Sequence, residues 1–503
     1  MFPVFDVIHP IKAVLLVFVF AVFFLRRHSK RLKRNDSVGI IVLGEIGQSP
    51  RMMRHALSFA DNRWSVSVFA YRGSGPPKAL MEHANIRFYS LPEFPQTILS
   101  RLPRILFVLF GGPLKALYLS FGLIYMLMSK TRGCSYLMVQ NPPAIPTLPV
   151  VQFSRLIWGS KLVIDWHNTG YSILALKFDS DQHPMVRLAK WIESKFGKYA
   201  HAHLFVTEAE KLFLSKNWGL IGIKKVFYDR PPQSFRPLTV AEIHSFFSRS
   251  SFNSDPALTS IYNCDPPLFK ETLLTFEDEE TNTIKYKPMR PALLVSSTSW
   301  TVDEDFTVLV DAISLYARSK RTKKLLPHVL CFITGKGPLK FFYEGLIEKR
   351  STEEKWGDVG IRCKLVWLDD LNDYQMLLGC SDLGISLHQS SSGLDLPMKV
   401  VDMYGCGVPV CARNFLCISE LVKHGQNGLV FESPIELSQQ LEDLLQGFTQ
   451  SDSAESNSKS KLTKLKEGIH TCKYGVNESK EKLNWNTWEE EWKRTILETL
   501  RHQ

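Results

Sequence analysis

Apolar positions along the chain fall into runs of two kinds. VGIIVLG at 38–44 and WSVSVFAY at 64–71 are short and nearly continuous, and predict strands buried on both faces. Between them RMMRHALSFA at 51–60 carries its apolar residues at helical spacing. YLMVQNPP from Tyr136 and KLVIDWHN from Lys161 read as further strands ending in polar residues, and HLFVTEAEKLFL passes from strand into helix. Such alternation predicts a doubly wound α/β domain, whose ligands gather at the carboxyl ends of its strands.

The pattern lapses from about Thr239 to Lys287, where Glu277–Glu280 is acidic. It restarts with ALLVSSTSW, HVLCFITGKGP, CKLVWLDD, DLGISLHQSSSG and VPVCA, a second α/β domain. Gln450–Lys464 is rich in Ser and Lys and reads as a flexible loop, and TWEEEWKRTILETL as an amphipathic helix able to pack on the first domain or on another subunit. The expected organisation is 1–35 anchor and basic flank, 36–238 first domain, 239–290 insertion or linker, 291–480 second domain and 481–503 terminal helix.

Two segments fit neither domain. IKAVLLVFVFAVFFL at 11–25 precedes Arg26, Arg27, Lys30, Arg31, Lys33 and Arg34. Its uncharged part, from Ala13, is short of the roughly 20 residues of a membrane span, and counting back to Val4 includes Asp6, His9 and Lys12. A cleaved signal peptide is the alternative, but a basic leading region and a small-residue cleavage site are missing. The basic flank therefore predicts a single-pass anchor with the rest of the chain in the cytosol. The second segment, Ile98–Met128, is apolar on most faces but carries Arg101, Arg104, Lys115 and a Gly111-Gly112-Pro113 break. It reads as helices on a membrane surface, with a buried helix pair as the alternative.

Composition narrows the classes. At 503 residues, 45% hydrophobic and 22% charged, the chain has room for two folded domains and extras. The net charge of +11 owes much to the cluster at 26–34, and no nucleic-acid-binding signature accompanies it, so nucleic acid is not an expected partner. Nine cysteines, without a CxxC pair or zinc-type spacing, point to a reducing compartment.

The candidate chemistry lies in SSSGLDLPMKVVDMYGCGVPV at 390–410. On a helix, Asp395, Lys399 and Asp402 fall within a band of roughly 60°. Pro397 suits the helix start, and Gly405 with Gly407 its end. The preceding loop of Ser390, Ser391, Ser392 and Gly393 offers backbone N–H groups to an anion. A solvated Asp395–Lys399 pair is the plainer reading.

Two facing α/β domains with a terminal helix resemble the GT-B glycosyltransferase architecture, a pair of Rossmann-like domains about a cleft. Leu396-Pro397-x-Lys399 with Asp402, followed by Gly407-Val408-Pro409-Val410, looks like its donor-site helix and strand. VLGEIGQSPRM, DWHNTGYSIL, YDRPPQSFRP, SSTSWTVDEDF, ITGKGP and SSSGLDLPMKVVDM, in that order, resemble the eukaryotic chitobiosyldiphosphodolichol β-mannosyltransferase family.

The resemblance implies inverting transfer of mannose from GDP-mannose to dolichol-diphosphate-linked chitobiose, giving a β1,4 bond. It implies no tightly bound cofactor or metal and a place on the cytosolic face of the endoplasmic reticulum membrane. Membrane lipids and other mannosyltransferases of the pathway are further candidate partners. Lys399 would offset the donor diphosphate, Asp402 would accept from the ribose, and Asp395 would face mannose. Ser391, Ser392, Gly393, Gly335, Lys336 and Gly337 would complete the donor site. Gly44 and Gly47 would meet a phosphate on the acceptor side. Glu45 is the leading candidate for the base and His167 the second; a structural hydrogen bond is the alternative role for His167, and Asp165 reads as its orienting neighbour. Asp179-Ser180-Asp181 and Asp303-Glu304-Asp305 spell D-x-D but read as helix-start or loop acids. The alternatives are another nucleotide sugar or polyprenyl acceptor, and a catalytically silent tethered binding partner.

Overall fold

The structure is a computed structural model. It describes residues 36–73, 75, 78–95, 111–249, 258, 270–302, 304–323, 325–390, 392–448, 460–471 and 488–501. The chain divides into two compact units, Met1–Tyr228 with Trp492–Gln503, and Asp229–Glu491.

The described strands of the first unit are β1 Ser37–Glu45, β2 Ser65–Tyr71, β3 Ile86–Ser90, β4 Tyr136–Asn141, β5 Lys161–Trp166, β6 Tyr199–Phe205 and β7 Ile221–Val226. They form one parallel sheet in the order β3-β2-β1-β4-β5-β6-β7. Its helices are α1 Pro50–Asp61, α2 Lys78–Met81, α3 Gly112–Lys130, α4 Thr147–Trp158, α5 Gly170–Phe178, α6 Pro184–Phe196 and α7 Glu208–Trp218. Local chemistry sets the boundaries. Pro50 opens α1, and the Thr207 hydroxyl accepts the Glu210 N–H at 3.0 Å to cap α7.

Asp229–Glu491 holds α8 Val240–Arg249 and an antiparallel hairpin of β8 Thr275–Asp278 and β9 Thr283–Tyr286. The segment expected as linker thus carries a helix and a hairpin of its own. Its main strands are β10 Ala292–Ser297, β11 Val329–Thr334, β12 Ile361–Val366, β13 Leu383–Ser386, β14 Val410–Arg413 and β15 Gly428–Phe431. They form a parallel sheet in the order β12-β11-β10-β13-β14-β15. Every residue of β10 and β11 is buried, as expected of central strands covered on both faces. The helices are α9 Thr307–Thr322, α10 Lys340–Glu353, α11 Leu371–Cys380, α12 Met398–Gly405, α13 Pro434–Leu445 and α14 Lys461–Thr471.

The terminal helix, α15 Trp488–Trp492, continues through a π-helical turn, Lys493–Leu497, to Glu498–Arg501. From Trp492 onward it belongs to the first unit. Trp492 meets Phe59 edge-on at 4.7 Å, and the Tyr136 hydroxyl donates to the Leu500 carbonyl at 2.7 Å. Of the two expected homes for this helix, the first is occupied.

The expected membrane anchor requires correction. Among the described residues no helix is long and apolar enough to cross a membrane. Residues 1–35, from which the span was read, lie outside the described residues. The single-pass placement in the endoplasmic reticulum membrane, which rested on that span, falls with it.

Residues 98–110 of the second apolar segment also lie outside the described residues. The remainder forms α3, with Leu119, Leu123 and Leu127 buried. Leu114, Leu117, Tyr118, Phe121 and Tyr125 are exposed, and their spacing puts them on the opposite side of the helix. One half of α3 is therefore core and the other an apolar surface.

Candidate functional site

In the second unit the chain reverses direction across the sheet between β10 and β13, and ligands of open α/β sheets bind outside the strand ends at such a point. Thr298, Ser299 and Trp300 follow β10 there, and His388 follows β13. A backbone bridge pairs Glu304 with His388.

Glu304 is 2% exposed and is the hub of this group. Its Oε2 accepts the Thr298 hydroxyl at 2.5 Å and the Ser299 N–H at 2.9 Å, and its Oε1 accepts Lys399 Nζ at 2.5 Å. Lys399 stands in the first turn of α12 and remains about a quarter exposed. Its ammonium is thus aimed by a buried carboxylate 95 positions earlier, not by Asp395.

The charged stripe expected on one helix is corrected accordingly. Pro397 is the N-cap of α12, so Asp395 lies before the helix and the spacing argument does not reach it. Asp395 accepts the Ser390 hydroxyl and lies 3.5 Å from His388 Nε2. Asp402 is on α12, and its charge adds to burial in raising the Tyr374 phenol, whose oxygen lies 3.0 Å from Ser297 Oγ.

Ser391 lies outside the described residues. The Ser392 hydroxyl accepts the Leu394 N–H at 3.1 Å, and Gly393 takes a left-handed φ of 72°. The loop's conformation is held by its own serines.

Gly335 and Gly337 follow β11 and approach the backbone after β10. A Cβ on Gly335 would stand 1.9 Å from the Thr298 carbonyl oxygen, and one on Gly337 1.8 Å from that of Ser299. Glycine is required at both by this close approach. Lys336 between them lies over the Trp367 ring at 4.1 Å and 3.7 Å from Asp369.

In the first unit the reversal falls between β1 and β4. Gly44 and Glu45 end β1, and Gly47 is exposed in the 3-10 turn Ile46–Gln48 that follows. The Glu45 carboxylate packs on Gly73, where a Cβ would meet its Oε2 at 2.2 Å. His167 is at the end of β5, two strand spacings or about 10 Å across the sheet from β1.

His167 belongs to a dense group around Asp165. Its backbone N–H donates to the Asn141 carbonyl at 2.9 Å, and its Nε2 lies 2.8 Å from Asp165 Oδ2. Arg51 grips the same carboxylate with Nε to Oδ2 at 2.9 Å and Nη2 to Oδ1 at 3.0 Å. His55 Nε2 is 3.3 Å from Oδ2. Burial opposes the charge on Asp165, but Arg51 and His167 outweigh it and hold the carboxyl well below its usual range. An ionised Asp165 only accepts, so the proton of a neutral His167 is on Nε2 and its lone pair on Nδ1. The ring is thus oriented by a carboxylate, with Nδ1 able to accept a proton.

The loop after His167 is anchored from α6. Glu193 accepts the Gly170 N–H at 2.6 Å, the Tyr171 N–H at 3.0 Å and Asn141 Nδ2 at 2.9 Å. Burial pushes its carboxyl up against the effect of these bonds. The start of α5 is therefore closed by a protein carboxylate.

Sequence reasoning missed Arg51, His55, Glu193 and the role of Glu304. Arg51 and His55 carried a signal, polar residues at i and i+4 on an otherwise apolar helix. Of the D-x-D stretches, Asp303 lies outside the described residues, Asp305 accepts the Thr307 N–H at 3.0 Å at the start of α9, and Asp179 ends α5. Among the described residues no group of three or more His, Cys, Asp or Glu side chains is arranged to hold a metal ion.

Residues 290–447 match the family model described as glycosyl transferases group 1. A chitobiosyldiphosphodolichol β-mannosyltransferase of Mus musculus is 38% identical over 95% of this chain and 92% of its own. The chain belongs to the chitobiosyldiphosphodolichol β-mannosyltransferase family. It is a glycosyltransferase. A relative from Arabidopsis thaliana, UDP-glycosyltransferase TURAN, is 40% identical over 81% of this chain and 89% of its own. The crystal structure of Anabaena Alr3699/HepE in complex with UDP and glucose matches with a TM-score of 0.57 at 14% identity, over 93% of this chain and all of that one. That likeness establishes a GT-B-like two-domain fold for this member of the family.

Proposed function

We infer that the chain transfers mannose from GDP-mannose to GlcNAc₂-diphosphodolichol with inversion, forming the β1,4-linked first mannose of the N-glycan precursor. The observation that carries this reading is the 38% identity along 95% of the chain. Lys399, held by Glu304, faces the leaving diphosphate as its negative charge grows, and a preorganised donor of this kind stabilises the transition state. Asp402, Asp395, Ser392, Gly393 and the Gly335-Lys336-Gly337 turn are read as parts of the same donor side.

His167 accepts the proton of the attacking 4-hydroxyl through Nδ1, with Asp165 stabilising the imidazolium. The geometry favours His167 over Glu45, whose carboxylate packs on Gly73. Glu45, Gly44 and Gly47 line the neighbouring strand end on the acceptor side. The isoprenoid part of the acceptor lies on the exposed apolar side of α3.

The name of the Arabidopsis relative, UDP-glycosyltransferase TURAN, favours a second reading, a UDP-sugar donor. Competition decides between them. Unlabelled GDP-mannose should suppress transfer from labelled GDP-mannose to a GlcNAc₂-diphosphoryl lipid, while UDP-hexoses should neither compete nor donate. Transfer from a UDP-hexose would favour the second reading.

A further inference from the structure

The group around Asp165 extends beyond the base to the terminal helix. His55 stands one helical turn after Arg51 on α1, is fully buried, and has a polar neighbour beside each ring nitrogen. Trp492 Nε1 lies 2.9 Å from His55 Nδ1, and His55 Nε2 lies 3.3 Å from Asp165 Oδ2. An indole N–H only donates, so His55 Nδ1 must accept. The neutral ring then carries its proton on Nε2, directed at the carboxylate. Burial holds His55 below its usual range and keeps it uncharged, against the pull of Asp165.

We propose that His55, fixed in this tautomer by Trp492, is a positioning residue for His167, acting through Asp165. The proposal rests on the reading of His167 as the proton acceptor. The charged and titratable groups facing Asp165 are Arg51 and His55 from α1 and His167 from its own strand end. Those facing His55 are Asp165, Arg51 and His167. Arg51 neutralises the carboxylate, and the His55 Nε2–H dipole stands 3.3 Å from the same Oδ2 that His167 uses. Their joint effect is to fix the carboxylate that orients His167. The terminal helix thereby becomes part of the catalytic half of the first unit.

The test is the pH profile of kcat/KM for the full chain with GDP-mannose and a GlcNAc₂-diphosphoryl phytanyl lipid. His55→Phe keeps a planar ring but no N–H dipole beside Oδ2, so the acid limb should move up by about one pH unit, roughly tenfold in rate well below that limb. Activity should recover above pH 9, with KM for GDP-mannose unchanged. His55→Gln, which retains a donor, should restore the original profile. A loss that is the same at every pH, or an unmoved limb, overturns the proposal. His167→Ala separates the two claims, because an acid limb that survives it overturns the reading of the base instead. In the native protein, ¹⁵N-histidine spectra should show His55 protonated at Nε2; a proton on Nδ1 overturns the proposal without any variant.

Discussion

Lys399 and Glu304 form an ion pair of 2.5 Å, in which the carboxylate is buried and the ammonium remains partly open to solvent. The arrangement fixes the direction of a partly exposed cation. It also makes the lysine structural, because Glu304 would otherwise be an uncompensated charge beneath the strand ends. Function and stability can be separated there by two substitutions.

Lys399→Ala should lower turnover by about 10²–10³, the usual cost of one lost transition-state donor. It should also lower the melting temperature, since an unpaired buried acceptor costs about 1–3 kcal/mol. Adding Glu304→Gln should recover much of the melting temperature and none of the turnover. Thermal melts beside initial rates check both, and recovered turnover would count against the role of Lys399.

Gly337→Ala should destabilise the second unit by about 1–3 kcal/mol, because its Cβ would press on the Ser299 carbonyl oxygen 1.8 Å away. The displaced 298–300 segment carries two of the donors to Glu304, so turnover should fall with stability. Denaturant titration and GDP binding to the same sample check this.

Acid stability should depend on His203. Burial pushes its imidazole down to about 4. The unfolded chain, titrating near 6.5, binds a proton that the folded protein refuses. Stability from this group is therefore complete above pH 6.5 and is lost as pH falls towards 4, by up to about 3 kcal/mol. His55 and His201 are also lowered by burial and act in the same direction. Unfolding free energies between pH 4 and 7 should show a shallower slope in His203→Gln.

Replacing Phe121 and Tyr125 by Ser should leave the fold intact, since both are exposed on α3. It should raise KM for a dolichol-linked acceptor and leave KM for GDP-mannose alone. An unchanged acceptor KM would remove α3 from the acceptor site.

Strands were legible because continuous apolar runs have few other uses, and β10 and β11 lie where ALLVSSTSW and HVLCFITGKGP put them. The donor-side segment was legible as a motif but not as geometry. Asp395 looked helical by spacing, yet Pro397 starts the helix after it. Partners distant in sequence were not legible. Nothing local to Lys399 points to Glu304, and nothing local to His55 points to Trp492, because sheet order and helix packing bring them together. The Ile98–Met128 segment read as membrane-surface helices, yet Leu119 is core, since an apolar helix does not announce which side faces the sheet.

The most direct measurement is the structure of the product. The full chain is incubated with GDP-[¹³C]mannose and GlcNAc₂-diphosphodolichol, the saccharide is released by mild acid, and the linkage is read by NMR and by digestion with β-mannosidase. The predicted result is a trisaccharide with a single β1,4-linked mannose that the enzyme removes. An α-linked mannose, or no transfer from GDP-mannose by folded protein, would contradict the account.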